Sequence, residues 1–572
     1  MTVIKQRPVP QENVAALQAS GLPPLMSRLF AARGISDVAQ VASNLGGLLP
    51  PQSLTNNQAM AKLLADAIAE NKKLLVIGDY DADGATATAV AVKGLRLFGA
   101  NVSFLVPNRF EYGYGLTPEI VALAATQKPD TIITVDNGIA SVDGVNAANA
   151  LGIQVLITDH HLPGQETPQA ACIINPNQHG CTFASKNLAG VGVMFYALLA
   201  LRAEMRERGA YAGAAEPNLT ELLDLVALGT VADLVKLDEN NRILVEQGLR
   251  RIRAGACSHG ITALLRIAGR EPSKASAQDL GFYVGPRLNA AGRLDDMTLG
   301  IQCLLAGSEV EATVIAQQLH ALNLQRRSIE ADMQDSANIS LDDLQLENQY
   351  SISIYQPDWH QGVIGILASR IKERHHRPVI AFADAGDGLI KGSGRSITGL
   401  HLRDALDLLS KHQPNLILKF GGHAMAAGLT IRGDDFELFK HGFEAVVRSL
   451  ITEADLESVL EVDGSLNSEE MTFQTAQILE NQVWGQGFAP PLFYDEFEVL
   501  NQRLLGEKHL KLTLKPVAAQ ASPMRSGMLA IDAIYFNQTD FLSERIQAIY
   551  QLQTNSYNGA QKVQLNLRYV TP

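Results

Sequence analysis

Between residues 74 and 158 the chain repeats one pattern, a short unbroken apolar run followed by a polar break and then a stretch of helical periodicity. The runs are Leu74-Leu75-Val76-Ile77-Gly78, residues 102–106, Ile132-Ile133-Thr134-Val135 and Val155-Leu156-Ile157-Thr158. Short apolar strands alternating with helices make βαβ units and a mainly parallel sheet. Three of the runs end in acids: Asp79-Tyr80-Asp81-Ala82-Asp83-Gly84, Asp136-Asn137-Gly138 and Asp159-His160-His161. A further apolar, helix-like stretch ends at Asp233. Carboxylates and imidazoles gathered at the carboxyl ends of parallel strands suit a hard cation and leave room for a phosphate. The pattern is that of a metal-dependent phosphoesterase.

A lone acid at a strand end is ordinarily a helix cap. Three acids in alternation after one strand are different, because they point to one side of the strand end, and Gly84 lets the chain turn close to a ligand. A histidine pair beside an aspartate fits the same chemistry, since a ligating imidazole needs a carboxylate or carbonyl on its other nitrogen.

The composition permits this and narrows the setting. A chain of 572 residues is too long for one core, so two to four domains are expected. The N-terminus has no basic segment followed by an apolar stretch, and no window of about 18 uncharged apolar residues occurs. Secretion and membrane spanning are therefore not expected. The four cysteines include no Cys-x-x-Cys pair, which argues against a zinc ribbon or a disulfide framework and fits a reduced cytoplasm. A net charge of -13 argues against a broad basic DNA-coating surface. It does not exclude a nucleic-acid substrate, because the field inside the groove is what matters and arginines cluster between Arg242 and Arg293.

Five segments are expected: a helical segment over 1–54, a catalytic α/β domain over 55–307, a connecting helix over 308–342, a second α/β domain over 343–454 and a β-domain over 455–572. Helical spacing without Pro or Gly between about 308 and 340 predicts one helix of about 45 to 50 Å, a rigid strut. In the second α/β domain, 350–354 and 379–382 read as strands, Lys391–Ser396 as a glycine-rich turn and Gly421–Gly428 as a glycine-rich run whose backbone is kept clear for a ligand. Residues 509–515 and 562–570 alternate with period two, as half-buried antiparallel strands do. A small barrel with basic residues on an exposed face follows, a form that often binds oligonucleotides.

Taken in order, the four acid-bearing motifs closely resemble those of the DHH phosphoesterase superfamily. The segment from Pro107 to Leu116, the run Gly285-Pro286-Arg287-Leu288-Asn289-Ala290-Ala291-Gly292-Arg293 and Gly421-Gly422-His423-x-x-Ala426-Ala427-Gly428 are similar to those of its bacterial single-stranded-DNA exonucleases, which carry an associated DHHA1 domain. The resemblance covers nearly the whole chain. It implies an α/β fold: a parallel-sheet DHH domain joined by a long helix to a DHHA1 domain, plus a C-terminal OB-like barrel. It also implies a divalent-metal-dependent exodeoxyribonuclease that releases 5′ mononucleotides from single-stranded DNA in the 5′ to 3′ direction, in DNA recombination and repair.

By the same resemblance Asp83, Asp136, His160 and Asp233 would hold one cation, and Asp81, with Asp136 bridging, would help hold a second. The ions would be Mn²⁺ or Mg²⁺. Asp79 and Asp159 would orient ligands, and His161 would face the scissile phosphate. Arg109, Arg287, Asn289, Ser393, Arg395 and His423 would bind the substrate. Ile77 stands where small pyrophosphatases of the superfamily have a histidine ligand, which argues against pyrophosphatase activity. Tyr112 and Tyr114 are either base-stacking groups or packing anchors. Single-stranded-DNA-binding protein and a helicase are the partners implied, with a monomeric, membrane-free enzyme.

Two other readings are compatible with the motifs. One is a DHH enzyme acting on short oligonucleotides or cyclic dinucleotides, which would need neither the long helix nor the extra β-domain. The other is a catalytically dead replication scaffold, which would be free to lose metal ligands, whereas this chain keeps every motif acid.

Overall fold

The structure is a computed structural model, and it describes residues 2–213, 215–342, 348–467, 469–517, 530–557 and 560–571. The chain divides into two compact units. One comprises 321–460 with the first few residues, and the other comprises 6–320 together with 461–572.

The larger unit is built on a five-stranded sheet of β1 (Lys73–Gly78), β2 (Asn101–Leu105), β3 (Thr131–Val135), β4 (Gln154–Thr158) and β5 (Cys172–Ile174). Its order is β2-β1-β3-β4-β5, and every pairing is parallel. The apolar runs expected from the sequence are therefore β1 to β4. β3 is buried along its whole length, as a strand covered on both faces must be. Leu75 and Ile77 join Ile132, Val155 and Ile157 in a core against Ile120, Val121, Val145 and Ala148 of two helices. The helices Ala82–Leu97 and Gly190–Glu207 lie against the same sheet. Burial of each large aliphatic side chain contributes roughly 1.5–3 kcal/mol, enough to fix the register of strands only five or six residues long. The strand order reverses between β1 and β3, and in open parallel sheets the ligand crevice forms at that point.

In the smaller unit β6 (Ile352–Tyr355), β7 (Val379–Gly386), β8 (Leu389–Arg395), β9 (Lys419–Gly422) and β10 (Ala426–Arg432) form a mixed sheet in the order β9-β10-β8-β7-β6. Here the reading of Lys391–Ser396 as a turn needs correction, because that segment lies almost wholly in a strand. Lys391–Arg395 belongs to β8 and pairs on one side with β7 and on the other with β10, so its backbone N–H groups are engaged in the ladders. Gly392 must lack a side chain, because a Cβ there would lie 2.6 Å from Phe382. Gly422, at φ +141°, makes the turn that joins β9 to β10.

The long helix is present as one element, Glu309–Asp342, with 34 residues. Beyond residue 490, β11 (Phe493–Leu505), β12 (His509–Pro516), β13 (Ile531–Tyr535), β14 (Arg545–Tyr557) and β15 (Ala560–Thr571) close into a barrel in the order β11-β12-β13-β15-β14. β12 alternates buried and half-buried residues, as its period-two pattern requires.

The barrel segment is fastened to the N-terminal helices by a buried ion pair. Arg33 donates to both carboxylate oxygens of Asp463 at 2.8 and 3.0 Å, with both side chains 1% exposed. Its remaining donors reach the Leu29 and Ala489 carbonyls, and its guanidinium lies 4.9 Å from the Trp484 ring centroid. Removing one partner leaves the other charge buried and unpaired, which costs about 3–5 kcal/mol. Asp463→Ala is expected to lower the stability of the larger unit by about that much in urea unfolding followed by circular dichroism. A loss below about 1 kcal/mol would show that the pair is a solvated surface contact.

Candidate metal centre

β1 ends at Gly78, and the chain turns through Asp79 and Tyr80 into the helix Ala82–Leu97, whose N-cap is Asp81. Asp81 Oδ1 accepts the N–H groups of Asp83 at 2.9 Å and Gly84 at 3.0 Å. The capping role is therefore real for Asp81, and it leaves Oδ2 outside the cap. Gly84 is needed because a Cβ there would meet the Asp79 carbonyl oxygen at 2.5 Å.

Asp83 is fully buried and faces the N-terminus of the helix Gly190–Glu207. Its carboxylate accepts the Gly190 N–H at 2.6 Å and the Val191 N–H at 2.9 Å, two donors that have no partner within their own helix. Asp136 follows β3 in a left-handed conformation, φ +63°, with its N–H donated to the Thr158 carbonyl. The same helix start presses on it, since a side chain at Gly190 would lie 2.6 Å from Asp136 Oδ1. Asn137 donates to the Ile77 and Val135 carbonyls and so ties the ends of β1 and β3 together.

After β4, Asp159 accepts the His161 Nδ1 proton at 2.8 Å and the Ile139 N–H at 2.9 Å. His160 Nε2 stands 3.1 Å from Asp136 Oδ1, 3.6 Å from Asp233 Oδ2 and 3.9 Å from Asp83 Oδ2. Asp233 closes the helix Leu223–Ala232, and the chain leaves it through Leu234 at φ +60°. The five residues expected to ligate metal thus converge, and Asp79 stands with them. Ligand atoms of Asp83, His160 and Asp233 lie within 4.8 Å of one another, and the same holds for Asp79, Asp81 and Asp136 and for Asp136, His160 and His161.

The electrostatics describe a site that lacks positive charge. Burial, and then the Asp81 carboxylate, push Asp83 up to about 7. Burial and the neighbouring carboxylates lift Asp136 and Asp233 well above the usual carboxylate range. Burial alone would raise Asp159 too, but the hydrogen bond and charge of His161 hold it below its ordinary value. Burial opposes a charged His161, yet Asp159 lifts it to about 9. Asp136 Oδ1 is buried and accepts no hydrogen bond. A buried carboxylate oxygen with no hydrogen bond, set among other carboxylates and the His160 imidazole, fits a hard divalent cation of the Mn²⁺ or Mg²⁺ kind.

Arg287 and Asn289 lie on the helix Gly285–Leu294, which packs so closely on this loop that a Cβ at Gly292 would reach the Tyr80 carbonyl. Asn289 Oδ1 accepts the Ala82 N–H at 2.8 Å. Arg287 is buried and donates to His320 Nδ1 and the Tyr283 carbonyl. The side chain of Arg109 lies outside the described residues. Ser393, Arg395 and His423 belong to the smaller unit. Arg395 donates to Ser393 Oγ at 3.2 Å and makes no ion pair among the described residues, and burial lowers its pKa. A Cβ at Gly365, in the first turn of the helix Ile364–His375, would lie 2.8 Å from the Arg395 guanidinium and 2.9 Å from Ser393 Oγ. His423 is exposed in the β9–β10 turn, its N–H donated to the Ala426 carbonyl.

Comparison with known proteins bears on the whole chain. Residues 73–230 match the DHH family N-terminal domain, 347–449 the DHHA1 domain and 462–569 the RecJ OB domain. A single-stranded-DNA-specific exonuclease RecJ of Escherichia coli is 49% identical over 563 residues, which cover 96% of each chain. This chain belongs to the RecJ family. A RecJ of Bacillus subtilis is 32% identical over 98% of this chain and 70% of its own length. The crystal structure of RecJ from Thermus thermophilus in complex with Mn²⁺ superposes with a TM-score of 0.80 at 28% identity, covering all of this chain and 80% of that one.

Several groups that shape the centre were not found by sequence reasoning. Asn175 donates to the His161 carbonyl and Asn177 to the His160 carbonyl, which fixes the backbone between the two histidines. Tyr114, singled out in the sequence as a stacking or packing group, has its hydroxyl 3.2 Å from both ring nitrogens of His161. Asn175-Pro176-Asn177 follows β5 directly, and in sequence it reads only as a turn.

The pH dependence of cation binding follows from these shifts. A carboxylate whose folded pKa is raised favours its protonated form, so the cation-free fold loses stability as pH rises through about 7, where Asp83 ionises. A cation relieves that repulsion and competes with the proton. The rise in melting temperature on replacing chelator with Mn²⁺ or Mg²⁺ is expected to be larger at pH 8 than at pH 6. A rise that is equal at both, or larger at pH 6, would contradict the arrangement.

Proposed function

We propose that the chain is a divalent-metal-dependent exonuclease specific for single-stranded DNA, which works from the 5′ end and releases 5′ mononucleotides during DNA recombination and repair. The observation that carries this is the convergence of Asp81, Asp83, Asp136, His160 and Asp233, with the buried Asp136 Oδ1 only 3.1 Å from His160 Nε2. Those five side chains would hold up to two ions of Mn²⁺ or Mg²⁺. A bound ion of this class supplies Lewis-acid charge for the phosphate oxygens and a lowered pKa for a water nucleophile. The chain's own residues do the rest. Asp159 fixes the orientation of the His161 ring through Nδ1, and His161 would face the scissile phosphate. Asn289 and the Asp81 cap hold the backbone at Ala82 to Gly84, so the acids keep their places while a substrate passes. Arg287 adds a buried guanidinium.

In the smaller unit, the Arg395 guanidinium beside Ser393 Oγ is a cationic, hydroxyl-bearing spot suited to a terminal phosphate. We assign it to recognition of the 5′ end, with His423 and Arg109 as further substrate contacts. The barrel would grip the strand, since β12 and β15 carry Lys511, Lys515, Lys562 and Arg568 and none of the motif acids. This reading divides the chain at 1–54, 55–307, 308–342, 343–454 and 455–572. It makes the protein a cytoplasmic monomer that works beside single-stranded-DNA-binding protein and a helicase. No helix of the described residues is long and apolar enough to cross a membrane.

Asp81→Ala and His160→Ala are each expected to abolish release of mononucleotides from an end-labelled single strand, in Mg²⁺ and in Mn²⁺, with circular dichroism unchanged. Near wild-type activity of either variant would refute the assignment. Arg395→Ala is expected to reduce the preference for 5′-phosphorylated over 5′-hydroxyl ends, read as the ratio of initial rates on the two substrates. An equal loss on both would remove Arg395 from end recognition.

A further inference from the structure

The helix Gly190–Glu207 does two things at the metal centre, and both depend on where its first turn is placed. It gives the Gly190 and Val191 N–H groups to Asp83, and it sets the Gly190 backbone directly against Asp136. Yet this helix has no side-chain cap, its N-cap being Ala189. Packing against the sheet and neighbouring helices sets the helix as a whole, and the segment that leads into it holds its uncapped first turn.

That segment is held by Asp238. Asp238 is the N-cap of the helix Glu239–Arg253, and Oδ1 alone satisfies the cap by accepting the Asn241 N–H at 3.0 Å. The second oxygen is turned to another task. Oδ2 accepts the Ser185 hydroxyl at 2.7 Å and the Asn187 amide at 2.9 Å, five and three residues before Gly190. Asn241, fully buried, donates both to the Asn187 carbonyl at 2.6 Å and to the Lys236 carbonyl at 3.0 Å, which closes the link. Asp238 follows Asp233 by five residues, so one carboxylate ties the exit from one metal-ligating residue to the support of two others.

We propose that Asp238 is a positioning residue for the cation site, acting through Ser185 and Asn187 on the start of the helix Gly190–Glu207 and through it on Asp83 and Asp136. A serine or an asparagine would serve as the cap equally well. An aspartate brings a second acceptor, and that acceptor is the one spent on the Ser185–Asn187 segment. The inference rests on the reading that Asp83, Asp136 and Asp233 hold a cation. Groups that orient ligands in this way typically change metal affinity by about 10- to 100-fold when removed.

The test is calorimetric titration of the metal-stripped full chain with Mn²⁺ at pH 8, beside its melting temperature in chelator. Asp238→Ser keeps a good cap for the helix Glu239–Arg253 but cannot reach both Ser185 and Asn187. It is expected to bind Mn²⁺ about 10-fold more weakly, with the melting temperature little changed. The double variant Ser185→Ala, Asn187→Ala leaves Asp238 and its cap in place and decides the matter should Asp238→Ser fail to fold. It is expected to show the same weakening, and combined with Asp238→Ser it should add little more. Thr472→Ala, which removes a side-chain cap from the helix Phe473–Glu480, is the control, expected to lose stability without changing Mn²⁺ affinity. Wild-type Mn²⁺ affinity in both the Asp238→Ser and the Ser185/Asn187 variants overturns the proposal, whatever their melting temperatures. If the parent chain binds no Mn²⁺, or Asp136→Asn binds it as well as the parent, the cation reading falls first and this proposal with it.

Discussion

Everything at the centre depends on negative charges held close together and away from water. Two unit charges about 4 Å apart interact by about 4 kcal/mol at an effective dielectric of about 20, and burial adds its own penalty. Asp83, Asp136 and Asp233 are all pushed upward for that reason. A protein tolerates such a cluster only when backbone dipoles, protons or a cation offset it. Here the helix start at Gly190 and Val191 offsets part of the charge at Asp83, while the Oδ1 oxygen of Asp136 accepts no hydrogen bond at all. The parallel sheet makes the crowding unavoidable, because β1, β3 and β4 end on one edge.

How much of this was legible in the sequence depended on the range of the interactions involved. The strands β1, β3 and β4 could be read because inner parallel strands are buried on both faces and so become apolar runs. The acids that follow them could be read because position after a strand decides which edge they occupy. Asn175 and Asn177 could not, since a side chain that serves a carbonyl 14 or 17 residues away looks like any turn residue. The donors to Asp83 were invisible for a stronger reason: they are backbone N–H groups 107 and 108 residues away in the chain, and no side chain marks them.

Glycine was the least reliable guide. Lys391–Ser396 looked like a ligand-facing turn because glycine is the usual turn residue. Gly392 is instead an inner position of β8, where the Phe382 ring of the neighbouring strand takes the space a side chain would fill. Gly422 does serve a turn, the one joining two strands of the same sheet. The alternation in β12 was a safer signal, because the period of side-chain direction follows from strand geometry whatever the residues are, although in β15 the buried Asn566 interrupts it.

The Arg33–Asp463 pair joins residues 430 positions apart, and it lies within a unit that the chain leaves at residue 320 and re-enters at 461. On a ribosome the sheet that carries the motif acids is therefore complete long before its own unit is. Until Asp463 has been made, Arg33 has no carboxylate to enter the interior with. A chain interrupted anywhere before that point therefore lacks the partner of a charge that the finished fold buries.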